Sequence, residues 1–214
     1  MNKALPITGL VFTGGKSTRM GRSKAELNLG GRTMAERAVD VMSEVCREVV
    51  IVTAKPLEFI DFKGKIIRDV IPGQGPLGGL VTGLIFARTP WVLTAPCDVP
   101  FLKAGILRII AEKALAARGG PRVVVPRTTG GWQPLIAAYS RECLGPARKL
   151  LEAGGRKMDD LRFNGAAWES IDAEVFKAVD PKLLSFFNIN TPEDLATADA
   201  LFKGADPNER ESYC

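Results

Sequence analysis

The residues able to do chemistry fall at four places in this chain. Gly14-Gly15 is followed by the cations Lys16, Arg19 and Lys24, with Gly21 between the last two. Asp69 closes a short apolar run, Asp98 closes another, and Asn188 and Asn190 stand before Thr191-Pro192-Glu193-Asp194. Glycines let a chain turn sharply and bring bare N–H groups close to a ligand, and Lys or Arg behind them adds fixed positive charge. Amide donors followed by cations are what a phosphate group requires. The chain has no histidine, which removes the commonest general base and the commonest metal ligand. Its chemistry must rest on carboxylates, cations and a metal held by oxygen.

Two phosphate-binding patterns are excluded. Gly15-Lys16-Ser17 supplies the end of a Walker sequence, but the required first glycine falls on Leu10. The dinucleotide pattern GxGxxG is absent as well. The string Gly14, Gly15, Ser17, Arg19, Met20, Gly21, Lys24 instead resembles the GGxSxRMGxxK motif of the MobA-like nucleotidyltransferases. These build the guanine dinucleotide form of the molybdenum cofactor. A basic surface turn needs only the glycines and lysines; seven matched positions at fixed spacing favour a ligand.

The elements that must place these residues read as α/β. Ile7 to Phe12, Val49 to Thr53, Ile66-Ile67, Trp91 to Ala95 and Val123 to Val125 are apolar runs of strand length, and Leu135 to Tyr139 and Phe186 to Ile189 are expected strands too. Helical spacing covers 34–46, 103–118 and about 145–153, with Thr33 and Glu36 at capping-box spacing. Gly73, Gly75, Gly78 and Gly79 begin as a loop and run into a further helix. Thr191, Pro192 and the acids after them start the last one. Alternating strands and helices imply a parallel sheet covered on both faces, in which ligands bind beyond the carboxyl ends of the strands. Each of the four chemical positions is expected at such an end.

With 214 residues, 46% of them hydrophobic and 25% charged, the chain can bury one sizeable core. It is read as one domain over residues 1–203 with a polar tail over 204–214. A net charge of +5 favours anionic ligands. The basic residues are scattered and only 7% are aromatic, which argues against nucleic acid. The four cysteines show no metal-like spacing, and Cys46 and Cys143 read as buried small hydrophobes in helical surroundings. No disulfide framework, signal core or membrane-length apolar run is present, so a cytoplasmic protein without a membrane span is expected.

Asp98 directly follows a buried strand and is the expected Mg²⁺ ligand, since Mg²⁺ takes one or two carboxylates and completes its shell with phosphate and water. Its structural alternative is a cap on the turn before Val99-Pro100. Asp69 could meet a nucleotide or form a salt bridge with Arg68 or Arg19. The glycines after it leave room for a flat base, or for close helix–sheet packing.

The resemblance spans about residues 7–202 and adds further expectations. It implies a single-domain three-layer αβα fold with a mostly parallel, Rossmann-like sheet of the nucleotide-diphospho-sugar transferase type. Phe12, Thr13, Gly14, Gly15, Lys24, Asp69, Gly78, Gly79 and Asp98 would bind GTP. Arg19, Lys24 and Asp98 would be catalytic, with Mg²⁺ on Asp98. Arg156, Lys157, Asn188 and Asn190 would meet the molybdopterin substrate. Molybdenum-insertion and acceptor proteins of the same pathway are the implied partners. The chain departs from the family at Phe12, Thr13, Val52 and Gln133. Gly14-Gly15 and Pro96-Cys97-Asp98 are similar to the guanine-using members rather than the cytosine-using ones. Cytidylyl transfer, a sugar-phosphate acceptor and a non-catalytic nucleotide-binding regulator are the alternatives.

Overall fold

A computed structural model of the chain describes residues 3–13, 24–59 and 64–205. In chain order it contains strand β1 (Leu5–Phe12), the hairpin strands β2 (Asn28–Leu29) and β3 (Arg32–Thr33), helix α1 (Met34–Ser43), β4 (Cys46–Thr53) and β5 (Lys65–Arg68). There follow α2 (Gly75–Phe86), β6 (Trp91–Pro96), α3 (Ala104–Ala116), β7 (Arg122–Thr128), β8 (Gly131–Trp132) and β9 (Ala138–Ser140). The chain closes with α4 (Leu144–Glu152), β10 (Ala167–Asp172), α5 (Ala173–Phe176) and α6 (Pro192–Gly204).

The main sheet runs β10-β7-β9-β6-β1-β4-β5, with β8 paired to β7. All pairs along it are parallel except those made by β8 and β9. β1 alternates its side chains between two buried layers. Ile7 and Val11 join Met42 of α1 and Ile106 and Ile110 of α3 on one face. Leu10 and Phe12 join Leu77, Leu80 and Leu84 of α2 and Leu150 of α4 on the other. The sheet is therefore the middle of three layers. From β1 the chain passes to β4 and β5, then crosses by α2 to β6 on the opposite side of β1. That reversal opens a crevice at the carboxyl end of β1, where the glycine loop begins.

Local signals explain the boundaries. Thr33 and Glu36 form the capping box that starts α1, and Thr191 and Asp194 form the one that starts α6. Gly119 and Gly120, at φ +73° and +71°, turn the chain after α3. α2 is buried continuously from Leu77 to Leu84, so it lies sandwiched between the sheet and α4.

Three expectations are corrected. Cys46 opens β4 rather than sitting in a helix; α1 ends at Ser43, and the buried thiol packs on the sheet side of that helix. The strand expected over 135–139 is the short antiparallel β9. Pro134 lacks an N–H, Ile136 N bonds Gln133 O at 3.0 Å, and the Tyr139 hydroxyl donates to Pro134 O, so the preceding residues form a turn. Phe186 to Ile189 is not a strand. Leu184–Phe186 is a single 3-10 turn, Leu183 before it is left-handed at φ 53°, and Ile189 N makes one bond, 2.8 Å to Asp98 O. The Asn188–Asn190 segment thus reaches the site by docking on the end of β6, without belonging to the sheet.

Candidate active site

The carboxyl ends of β1 and β6 are joined by Cys97 N, which donates to Phe12 O at 3.1 Å. Asp98 comes next, held at its carbonyl by Ile189 N. Its carboxylate Oδ2 lies 2.9 Å from Lys24 Nζ, and both side chains are about 20% exposed. Lys24 Nζ also donates to Asn190 Oδ1 at 2.7 Å. Residues 24, 98 and 190, far apart in sequence, therefore converge on one ammonium group. Asp98 is an ion-pair partner here, and the turn-capping alternative is not what its side chain does.

Asp98 Oδ1 is buried and has no hydrogen-bond partner among the described residues. A bare, buried carboxylate oxygen is costly unless something positive meets it. One hard anionic oxygen of this kind fits Mg²⁺, which uses few protein carboxylates. No group of three or more acidic, Cys or His residues that could hold a metal is present among the described residues. The neighbouring Cys97 thiol is pushed up to about 12, first by burial and then by the negative charge of Asp98. It is no nucleophile at neutral pH.

Beside this cluster, under the ends of β1, β4 and β5, lies a cavity of about 590 Å³. Phe12, Val52, Thr53, Asp69, Pro76 and Gly79 are among its lining residues, and its size is that of a small-molecule site. Asp69 Oδ1 accepts from the Thr82 hydroxyl at 2.7 Å and from Ile71 N at 3.0 Å. It is anchored to α2 and makes no ion pair with Arg68 among the described residues. Thr13 is buried and its hydroxyl donates to Val52 O at 3.3 Å, which ties the start of the glycine loop to β4.

The glycines divide by role. Gly73 and Gly75 take φ of +80° and +64°, a turn that side chains resist. A Cβ on Gly78 would stand 2.8 Å from Ile71 O, and one on Gly79 would stand 3.1 Å from the Phe12 ring. Close packing thus accounts for Gly78, while Gly79 also faces the cavity.

Arg156 borders the same cavity as Asp69 and Gly79, which neither Asn188 nor Asn190 lines. Lys157 is exposed at the start of a 3-10 turn over Met158–Phe163. Asn188 is exposed, with its amide 3.5 Å from Phe186 O. Gln133 is turned onto the Thr128 hydroxyl at 3.0 Å. Gly14, Gly15 and Arg19 lie outside the described residues. Thr53, Ala54 and Pro76 are cavity residues that the motifs did not single out; the position of Thr53 at the end of β4 was the available signal.

Residues 9–165 match the MobA-like NTP transferase domain family. The chain belongs to that family. It is 36% identical over 202 residues to the molybdenum cofactor guanylyltransferase of Desulfosudis oleivorans, covering 92% of this chain and 96% of the relative. Against the probable molybdenum cofactor guanylyltransferase of Halalkalibacterium halodurans the identity is 36%, over 88% and 95% of the two chains. The crystal structure of molybdopterin-guanine dinucleotide biosynthesis protein A from Archaeoglobus fulgidus superposes with a TM-score of 0.79 at 26% identity, covering 93% of this chain and all of that one. The nucleotidyltransferase fold expected from the sequence is thereby established. No described helix is long and apolar enough to cross a membrane.

Proposed function

We propose that this chain transfers GMP from GTP to the terminal phosphate of molybdenum-loaded molybdopterin. An oxygen of the acceptor phosphate forms a new bond to the α-phosphorus of GTP, the bond from that phosphorus to the bridging oxygen of the β-phosphate breaks, and pyrophosphate leaves with the electron pair. The acceptor is already an anion at neutral pH, so no general base is needed. This suits a chain without histidine. The observation that carries the reading is the convergence of Lys24 and Asp98 at the end of β6, which is bonded through Cys97 N to Phe12 O, the residue of β1 that lines a cavity of about 590 Å³.

The cavity under β1, β4 and β5 takes the nucleoside, with Phe12, Val52 and Gly79 as its apolar walls and Asp69 as an acceptor toward the ribose or base. Lys24, together with Arg19, neutralises the charge that builds on the departing pyrophosphate. Asp98 Oδ1 would hold Mg²⁺, whose charge would offset that of the phosphates. Arg156 and Lys157 supply cations on the α4 side, and Asn188 faces the acceptor. The rest of the catalysis is positioning. The free, buried thiols of Cys46, Cys97 and Cys143 agree with a reducing cytoplasm, where the product would pass to the acceptor proteins of the pathway.

The test combines the protein with Mg²⁺, GTP and molybdenum-loaded molybdopterin, and follows pyrophosphate and dinucleotide. Turnover is expected, with Asp98→Ala lowering it by at least about a hundredfold at an unchanged melting temperature. Near-normal activity of Asp98→Ala would overturn the metal assignment. Turnover only with other acceptor phosphates would overturn the acceptor, and GTP binding without turnover on any of them would overturn the enzyme reading.

A further inference from the structure

The resemblance casts Asn190 as a residue that touches the acceptor. The structure gives its side-chain oxygen another task. Asn190 Oδ1 receives the Lys24 ammonium at 2.7 Å, the shorter of that ammonium's contacts with Asn190 and Asp98.

We propose that Asn190 is a positioning residue for Lys24, through which the segment before α6 sets the cation of the triphosphate site. The proposal rests on the nucleotidyl-transfer reading only in assuming that Lys24 meets the triphosphate. Lysine is a flexible point charge on a four-carbon stem and loses rotamer entropy when fixed. Its backbone sits in a single 3-10 turn, Lys24–Glu26, which does nothing to fix the far end of the side chain. Asp98 is an unsteady partner for that end. Its carboxylate also carries the Oδ1, without a partner among the described residues, that a metal would take, and the metal's charge would oppose an ammonium beside it. A neutral oxygen that keeps hold of the ammonium while Asp98 changes partner solves this, and an amide oxygen does so without adding charge against the phosphates.

Asn190 is itself rigidly mounted. Its N–H and that of Thr191 both donate to Asp194 Oδ2 at 2.9 Å, and Asp194 N donates to the Thr191 hydroxyl at 3.1 Å. Ile189 is fully buried, and its N–H is bonded to the carbonyl of Asp98. The Asp98 backbone and the Lys24 ammonium are thus referenced to one short segment, held by the cap of α6. A merely structural asparagine at an exposed position would not need its side-chain oxygen on a lysine.

The test is a double-mutant cycle on GTP binding, measured with Mg²⁺ on the full chain and with no acceptor present. Asn190→Ala should weaken GTP on the order of tenfold in the wild-type background and less than about twofold in Lys24→Ala, because a coupled pair is non-additive. Equal losses in both backgrounds would overturn the proposal. So would unchanged GTP binding in Asn190→Ala with only the KM for the acceptor raised, the pattern of a direct acceptor contact. Because no acceptor enters the binding cycle, an error in the acceptor's identity shows in turnover and leaves this result intact. Thermal unfolding of each variant separates lost coupling from lost folding.

Discussion

A methyl group added at Gly79 would stand 3.1 Å from the Cδ1 and Cε1 atoms of Phe12. Phe12 ends β1 and walls the cavity, so a shift of the ring that relieves that contact alters the cavity wall. Alanine is also the better helix former, by up to about 1 kcal/mol in a helix interior. Gly79→Ala is therefore expected to leave the unfolding free energy near its wild-type value while lowering GTP affinity several-fold. Chemical denaturation and equilibrium binding on the same preparation would show the two quantities parting. Gly83, one turn on, faces the side chain of Leu10 deeper in the layer and does not line the cavity. There the same substitution should cost stability, roughly 1–3 kcal/mol for overpacking less the helix-propensity gain. Loss of stability in Gly79→Ala equal to that in Gly83→Ala would mean that Phe12 is fixed and the cavity wall does not yield.

At the scale of elements, α6 shows how a helix end can serve a site. Its cap uses Asp194, whose carboxyl is held below the usual range by the backbone N–H groups of Asn190 and Thr191, with the charge of Lys24 a smaller contributor. The folded pKa is depressed, so the stabilisation is present above the unfolded value of 3.8 and is lost as pH falls through the folded one. Asp194→Asn should accordingly be less stable than wild type at neutral pH, and the gap should close below about pH 4. A gap that stays constant across a series of melting curves to acid pH would remove the ionised cap from the account. The cap was legible in Thr191-Pro192-Glu193-Asp194, as was the one at Thr33 and Glu36, because capping is a local code. β10 was not foreseen. AWESID is an edge strand with an exposed outer face, and its seat beside β7 is decided by pairing across more than forty residues of chain. The segment 186–189 misled for the opposite reason. Ile189 is buried and Phe186 and Phe187 are half-buried, but by docking on the end of β6, and a run of apolar residues reads the same in either setting.

At the scale of the molecule, the reversal of strand order around β1 places the ends of β1, β4 and β5 around the cavity, with the end of β6 on the other side of β1. The sequence motifs marked each strand end but could not show that Lys24, Asp98 and Asn190 meet, since no local pattern encodes a contact between residues 24 and 190. Both buried layers share the one sheet, so a ligand seated in the crevice stabilises the whole fold by mass action. At a hundredfold excess over its dissociation constant the gain is about 2.7 kcal/mol, and for a chain of this size each kcal/mol raises the melting temperature by about 2–4 °C. Mg²⁺ with GTP should thus raise the midpoint by about 5–10 °C. The same concentrations of CTP and ATP should raise it less. A purine fills more of a cavity of about 590 Å³ than a pyrimidine does, and a site built to pair with guanine's edge leaves polar groups unpaired when adenine enters. A midpoint raised as far by CTP as by GTP would overturn the guanine preference while leaving nucleotidyl transfer in place. A shift with GTP that survives Asp98→Ala in full would show that the cavity, rather than the metal-bound phosphates, supplies the binding energy.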